Sequence, residues 1–181
     1  MTVFSNPGKE NTSAAVAMAI AKAAELNCPI VIGSYTGASA RVLLEQGWKG
    51  KTVVVRGCST ASNQGVNRMS PEVRQELEAG GCTVVTAAHA LSGCERGIST
   101  RFQGAYPVEI LAHTLRMFGQ GVKVCVECAV MALDADALSF GQCVVALGGT
   151  AVGVDTAVVL TPSYSSSVLE TKIHEILCKP Y

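Results

Sequence analysis

The chain has 181 residues, the length of one domain on the usual scale of about 100–200 residues, which excludes a large multidomain enzyme. Its 14 basic and 14 acidic residues cancel, so nothing in the charge balance points to nucleic acid or an anionic membrane surface as a partner. Only 15% of residues are charged and 49% are hydrophobic, so buried surface beyond one small core is expected, as the interface of a homo-oligomer would supply.

In chain order, Met1–Glu10 is polar and carries Pro7 and Gly8, unlike a signal peptide, and no later apolar run approaches the ~18 residues of a membrane span. A cytoplasmic protein is expected. Thr12–Leu26 is rich in Ala, opens with the cap candidates Asn11, Thr12 and Ser13, and predicts a helix ending near Asn27. Pro29–Ser34 is a short continuous apolar run, the pattern of a strand buried on both faces. A helix from about Gly37 to Gln46, a strand over Thr52–Val55, a helix over Pro71–Ala79 opened by Ser70, and a strand over Cys82–Val85 follow. From Thr86 to Gly104 the periodicity breaks, which predicts a long loop of functional type. Helices are predicted over Val108–Phe118 and Val122–Leu138, the second with Lys123 and Glu127 as an exposed i,i+4 pair. Cys143–Leu147 and Thr156–Leu160 read as strands. The connection Gly148–Asp155 is too short for a parallel crossover, so the fifth strand should run antiparallel to the fourth. Ser167 and Glu170 have capping-box spacing and predict a final helix over Val168–Cys178. Repeats, low-complexity tracts and linkers are absent, so the expectation is one domain over residues 1–181. Its class is α/β, a three-layer α/β/α arrangement around a mostly parallel five-stranded sheet with an antiparallel last strand.

Ligands of open α/β sheets gather at the carboxyl ends of the strands, and three segments map there. The first is the turn Ser34, Tyr35, Thr36, Gly37, Ala38 and Ser39, whose hydroxyls and helix-opening amides favour a phosphate; it lacks the spacing and lysine of a P-loop. The second is Gly148, Gly149, Thr150, Ala151, Val152, Gly153, Val154, Asp155 and Thr156, where glycines serve either an anion or a hairpin. The third is the loop from His89 to Gly104, with Arg96 and Arg101 as its cations and His89 as its one group titrating near neutrality. Glu109 and His113 read as an ordinary side-chain pair, and His174 as a surface or interface residue. The eight cysteines are expected to be thiols. Cys125 and Cys128 form the one C-x-x-C and, with no second pair at ligand spacing, read as buried apolar thiols without a metal.

Two of these segments resemble a known family. "IVIGSYTGASA" (residues 30–40) resembles the first strand and phosphate turn of the C-terminal α/β domain of pyruvate kinase, and "CVVALGGTAVGVDTAVV" (143–159) resembles that domain's last hairpin. The resemblance implies that domain's five-stranded sheet, with Ser34, Thr36, Gly37 and Ser39 around a phosphate and Gly149, Asp155 and Thr156 on the loop above it. Ala38 stands where that family commonly has arginine, and the hairpin loop lacks its usual tryptophan and arginine, which argues against a sugar bisphosphate. The catalytic barrel of pyruvate kinase has no counterpart in the chain. "HALSGCERGISTRFQG" and "GVKVCVE" are similar to stand-alone proteins related to this domain, for which the resemblance implies a small phosphorylated ligand. Flavin mononucleotide is the first candidate and a sugar phosphate the second. Two further readings stay open: a flavin-dependent oxidoreductase with His89 as acid or base, and an oligomerising interaction module without a small-molecule site.

Overall fold

The short apolar runs become the centre of a seven-stranded sheet in the computed structural model, which describes residues 1–181. The strands are β1 (Thr2–Phe4), β2 (Ile30–Gly33), β3 (Thr52–Gly57), β4 (Cys82–Ala87), β5 (Val144–Gly148), β6 (Thr156–Thr161) and β7 (Lys172–Pro180). Their spatial order is β1-β7-β6-β5-β2-β3-β4, and β6 alone runs antiparallel to its neighbours. The antiparallel step falls where the short connection placed it, with Val144 opposite Leu160. No helix is long and apolar enough to cross a membrane.

The helices are α1 (Thr12–Leu26), α2 (Ala38–Glu45), α3 (Pro71–Ala79), α4 (Gly93–Phe102), α5 (Pro107–Arg116) and α6 (Gln120–Asp134). On one face of the sheet α1, α2 and α3 pack Ala15, Val16, Ala19, Leu43 and Leu77 against Ile30, Ile32, Val54 and Leu147. On the other, α6 packs Val122, Val126, Ala129 and Val130 against Val31, Val53, Val144 and Ala146, with α5 behind it. Ile30, Val31 and Ile32 thus alternate between two cores, which is why the run shows no polar face. Right-handed crossovers dictate the sides. The path β2 to β3 to β4 advances toward one edge with α2 and α3 on the first face. The return from β4 to β5 runs the opposite way and carries α4, α5 and α6 across the second. β2 and β5 are neighbours whose connections diverge, so the switch point of the sheet lies between them.

The C-terminal segment corrects the predicted helix over Val168–Cys178. Ser165–Glu170 is a 3-10 turn with Ser167 at φ −133°, and β7 follows it. The capping-box spacing of Ser167 and Glu170 therefore opens no α-helix. The deciding force is the edge of β6: that strand is buried up to Thr161, and its outward backbone groups need the partner β7 provides. Register shifts between Ala157 and Val158 and between Val159 and Leu160 break the strict alternation that would have announced a strand. β1 then adds beyond β7, Thr2 opposite Cys178, so the sheet has seven strands instead of the predicted five.

The predicted loop Thr86–Gly104 is corrected as well, because it contains α4. Ser99 is the one buried residue of that helix, so no apolar stripe marks it. Polar contacts hold it instead. Glu95 accepts the amides of Val108 and Glu109 at 3.3 and 2.9 Å, and Ser99 donates to Glu109 at 2.7 Å, tying α4 to the start of α5. Glu109 is thereby engaged with Ser99 and Glu95 lies beside it, while His113 is exposed on α5.

Candidate functional site

Two adjoining cavities open at the carboxyl ends of β2, β3 and β5, at the switch point. The first, about 360 Å³, is lined by Lys9, Thr12, Thr36, Ala38, Ser39 and Arg68 at the start of α2. The second is a cleft of about 290 Å³ lined by Arg56, His89, Arg96, Arg116, Lys123 and Glu127. Gly33, Ser34, Tyr35, Ala151 and Gly153 border both.

The turn Ser34–Gly37 carries the chain from β2 into α2. Gly37 has φ +88°, and a Cβ there would lie 2.4 Å from Val73 Cγ1, so the turn against α3 requires glycine. Ser34 and Ser39 are nearly buried yet line the first cavity. Gly37 caps α2 without any side-chain bond, so the first-turn amides of the helix remain free for an anion.

The hairpin loop divides into residues that face the site and residues that build it. Gly149, Thr150 and Gly153 line the cleft, and Gly148 is the last residue of β5. Asp155 and Thr156 line neither cavity. Asp155, 1% exposed, accepts from the amides of Gly8 at 3.1 Å and Thr150 at 3.3 Å and from the Thr156 hydroxyl at 2.9 Å. Its carboxylate is therefore a strut joining the N-terminal segment to the loop.

The segment after β4 brings His89 and Arg96 into the cleft and leaves Arg101 outside. Five positions along a helix rotate by about 140°, so one face of α4 cannot present both arginines to the same site. Two cations that sequence reasoning missed take its place. Arg56, at the end of β3, donates through Nε to Thr86 Oγ1 at 2.6 Å, and Arg116, in the last turn of α5, donates to Gln120 at 2.7 Å.

Beneath these side chains lies a chain of hydrogen bonds. Tyr35 Oη is 3.0 Å from His89 Nε2, and His89 Nδ1 is 3.4 Å from Glu127 Oε2. Lys123 Nζ donates to the same Oε2 at 2.5 Å, and the Leu91 amide donates to Oε1 at 2.9 Å. Lys123 and Glu127 are 4% and 3% exposed, which corrects the expected surface pair: the two charges face into the cleft floor from α6. Tyr35 packs its ring against Gly57, where a Cβ would fall 2.3 Å from Cε1, and the Arg68 guanidinium lies 5.7 Å over that ring.

Burial pushes the Glu127 carboxyl up, but the hydrogen bond from His89 and the charge of Lys123 outweigh it and bring the group down to about 2. Burial, with the Cys128 thiol and the Glu127 charge, raises the Tyr35 phenol, against the opposing pull of Arg68. Cys128, on the cleft wall, is pushed up to about 12 by burial and by Glu127. Cys125 is buried and donates its S–H to Ala146 O at 3.3 Å. His174 stands on β7, bonded to Thr161 at 2.9 Å, away from both cavities.

The depressed Glu127 carboxyl makes a stability prediction. The folded protein holds this group ionised down to about 2 while the unfolded chain protonates it near 4.5, so its contribution is complete above 4.5 and disappears as pH falls toward 2. Chemical unfolding followed between pH 2 and 6 should show a loss on the order of 3 kcal/mol over that window, and Glu127→Gln should flatten that part of the curve. Equal acid slopes in the two proteins would refute the assignment.

No protein-family model matches the chain. Among solved structures it is similar to a pyruvate kinase from Cryptosporidium parvum, at 14% identity over 77% of this chain and 21% of that one, with a TM-score of 0.40. It is also similar to a second Cryptosporidium parvum pyruvate kinase structure, at 13% identity over 90% of this chain and 22% of that one, with a TM-score of 0.38. The chain thus spans about a fifth of the length of either structure.

Proposed function

We propose that the chain binds a small phosphorylated molecule across the two cavities, its phosphate at the start of α2 and the remainder in the cleft. One observation supports this above others. Free amides of α2, Lys9, Arg68, Arg56, Arg96 and Arg116 converge on adjoining cavities whose one carboxylate, Glu127, is already neutralised by Lys123. A cytoplasmic setting accords with eight cysteines that are all free thiols.

Of the two candidate ligands, flavin mononucleotide suits the phosphate turn but not the cleft. An isoalloxazine needs an apolar slot, and the lining is dominated by Arg56, His89, Arg96, Arg116 and Gln120. A sugar phosphate, whose hydroxyls need donors and acceptors, matches the same residues, and we place it first.

Calorimetric titration with glucose 6-phosphate and with flavin mononucleotide tests the reading. Ser39→Asp sets a carboxylate beside the proposed phosphate and should weaken binding tenfold or more, about 1.4 kcal/mol at least. An unchanged affinity would exclude the turn as the phosphate site. Tight flavin binding with a yellow protein would reverse the ranking, and bleaching by reduced nicotinamide would then support the oxidoreductase reading.

A further inference from the structure

The cleft holds more hydrogen-bonding machinery than retention of an anion requires. An ionised Glu127 can only accept, so its contact with His89 Nδ1 sets the imidazole proton on that nitrogen. Nε2 is then the acceptor for the Tyr35 hydroxyl 3.0 Å away. Glu127 is itself oriented from two sides, by Lys123 and by the Leu91 amide. A buried ion pair is not the most stable way to anchor α6, since apolar side chains of similar size do as well or better. What the pair provides is a fixed anion behind an imidazole whose other side leads to the hydroxyl of Tyr35, a residue that is 47% exposed and borders both cavities. Of the possible nucleophiles in the lining, Cys128 is a buried thiol, Lys123 is closed in its ion pair, and the hydroxyls of Ser34, Ser92 and Thr150 make no hydrogen bond to the His89 ring that would activate them. Proton transfer is the chemistry these groups are aligned for.

We propose that Tyr35, His89 and Glu127 form a proton relay that catalyses opening and closing of the hemiacetal ring of a phosphorylated sugar, an inference that rests on the sugar-phosphate reading above. In the opening direction the anomeric hydroxyl gives its proton to Tyr35 Oη while the Tyr35 proton passes to His89 Nε2. The O–H electron pair becomes the carbonyl π bond, and the bond from the anomeric carbon to the ring oxygen breaks with its pair on that oxygen. The imidazolium formed sits against Glu127 and returns the proton through Tyr35 to the ring oxygen, which is attached to the same carbon as the hydroxyl. Atoms and electrons balance without an oxidant, a reductant or a second substrate. Reclosure on the other face of the carbonyl yields the other anomer. Tyr35 touches the reacting oxygens, His89 stores the proton behind it, and Glu127 is a positioning residue.

The experiment is exchange NMR of the α and β anomers of glucose 6-phosphate with the full chain at neutral pH, alongside ¹⁵N spectra of its histidines. Interconversion should accelerate in proportion to protein concentration and lose about 100-fold of that acceleration in Tyr35→Phe and in His89→Gln, while Arg101→Ala, outside the cleft, matches the parent. His89 should appear as the Nδ1-protonated tautomer, and folded Glu127→Gln should lose both that tautomer and the acceleration, which a merely structural glutamate would leave in place. If Glu127→Gln fails to fold, Tyr35→Phe, which removes one hydroxyl, decides. Binding of glucose 6-phosphate without acceleration overturns the relay and leaves the binding reading standing. Absence of binding overturns both, and an Nε2-protonated His89 overturns the relay whatever the ligand does.

Discussion

Replacing Lys123 by methionine is expected to lower the free energy of unfolding by about 3–5 kcal/mol. Methionine keeps most of the lysine stem's volume, so packing against α6's neighbours survives and the cost is electrostatic. Glu127, 3% exposed, would retain the Leu91 amide and the His89 ring but lose the ammonium 2.5 Å from its Oε2. An ionised carboxylate left that way is an uncompensated buried charge, and neutralising it by proton uptake forfeits the acceptor that orients His89. The double variant Lys123→Met, Glu127→Leu should recover most of the loss, because apolar side chains replace both charges together; what stays lost is the acceptor for the Leu91 amide. Urea unfolding of the two single variants and the double variant gives the coupling directly. A loss under about 1 kcal/mol in Lys123→Met would mean that the pair behaves as a surface salt bridge and that its burial is wrong.

The same pair marks where residue patterns were informative and misread. An i,i+4 Lys–Glu spacing is the usual sign of an exposed helix face. In α6, however, the buried residues Val122, Val130, Met131, Cys128 and Cys125 point to all sides, and a helix that is hydrophobic all round is buried. The two charges had to be buried with it, and a buried pair beside a strand end is a reason to look for a site. Arg56 carried a weaker signal, a lone cation at the carboxyl end of the apolar strand β3. Arg116 carried none, because its place in the cleft is set by the packing of α5 on α6, a tertiary fact.

The central strands were legible because each is buried on both faces and needs only an unbroken apolar run. β7 was not, since it exists to satisfy the backbone of β6 and shows its outer residues to solvent. The turn Ser34–Ser39, His89 and the hairpin loop could be brought together in advance for a topological reason: parallel strands with right-handed crossovers send all three to one end of the sheet. Which side chains point into the site is a finer matter. Arg96 and Arg101 differ by their phase on α4, a helix whose sequence hides it. Asp155 looked like a loop acid and proved to be an internal strut.

That strut carries the second large expected effect. Asp155→Ala should lower the unfolding free energy by about 3 kcal/mol or more, since three donors lose a charged acceptor in a site 1% exposed. The buried Thr156 hydroxyl bonds to Asp155 alone and would be left unpaired, while the half-buried Gly8 amide and the Thr150 amide of the exposed loop lose the charged acceptor that joins them. Function should fall with stability, because Gly149, Thr150, Ala151 and Gly153 line the cleft from the loop that Asp155 holds. Gly8 ties in the segment preceding α1, so the N-terminal end of that helix should loosen together with the loop. Hydrogen exchange separates this from a general weakening: faster exchange should concentrate in residues 6–12 and 148–156, with the amides of β2 and β3 keeping their protection apart from the global shift. Uniform exchange with intact affinity for glucose 6-phosphate would show that Asp155 adds stability without shaping the site. If instead the affinity drops while Asp155→Asn, which keeps one acceptor oxygen, recovers part of both losses, the hairpin loop is held in its binding geometry by this one buried carboxylate.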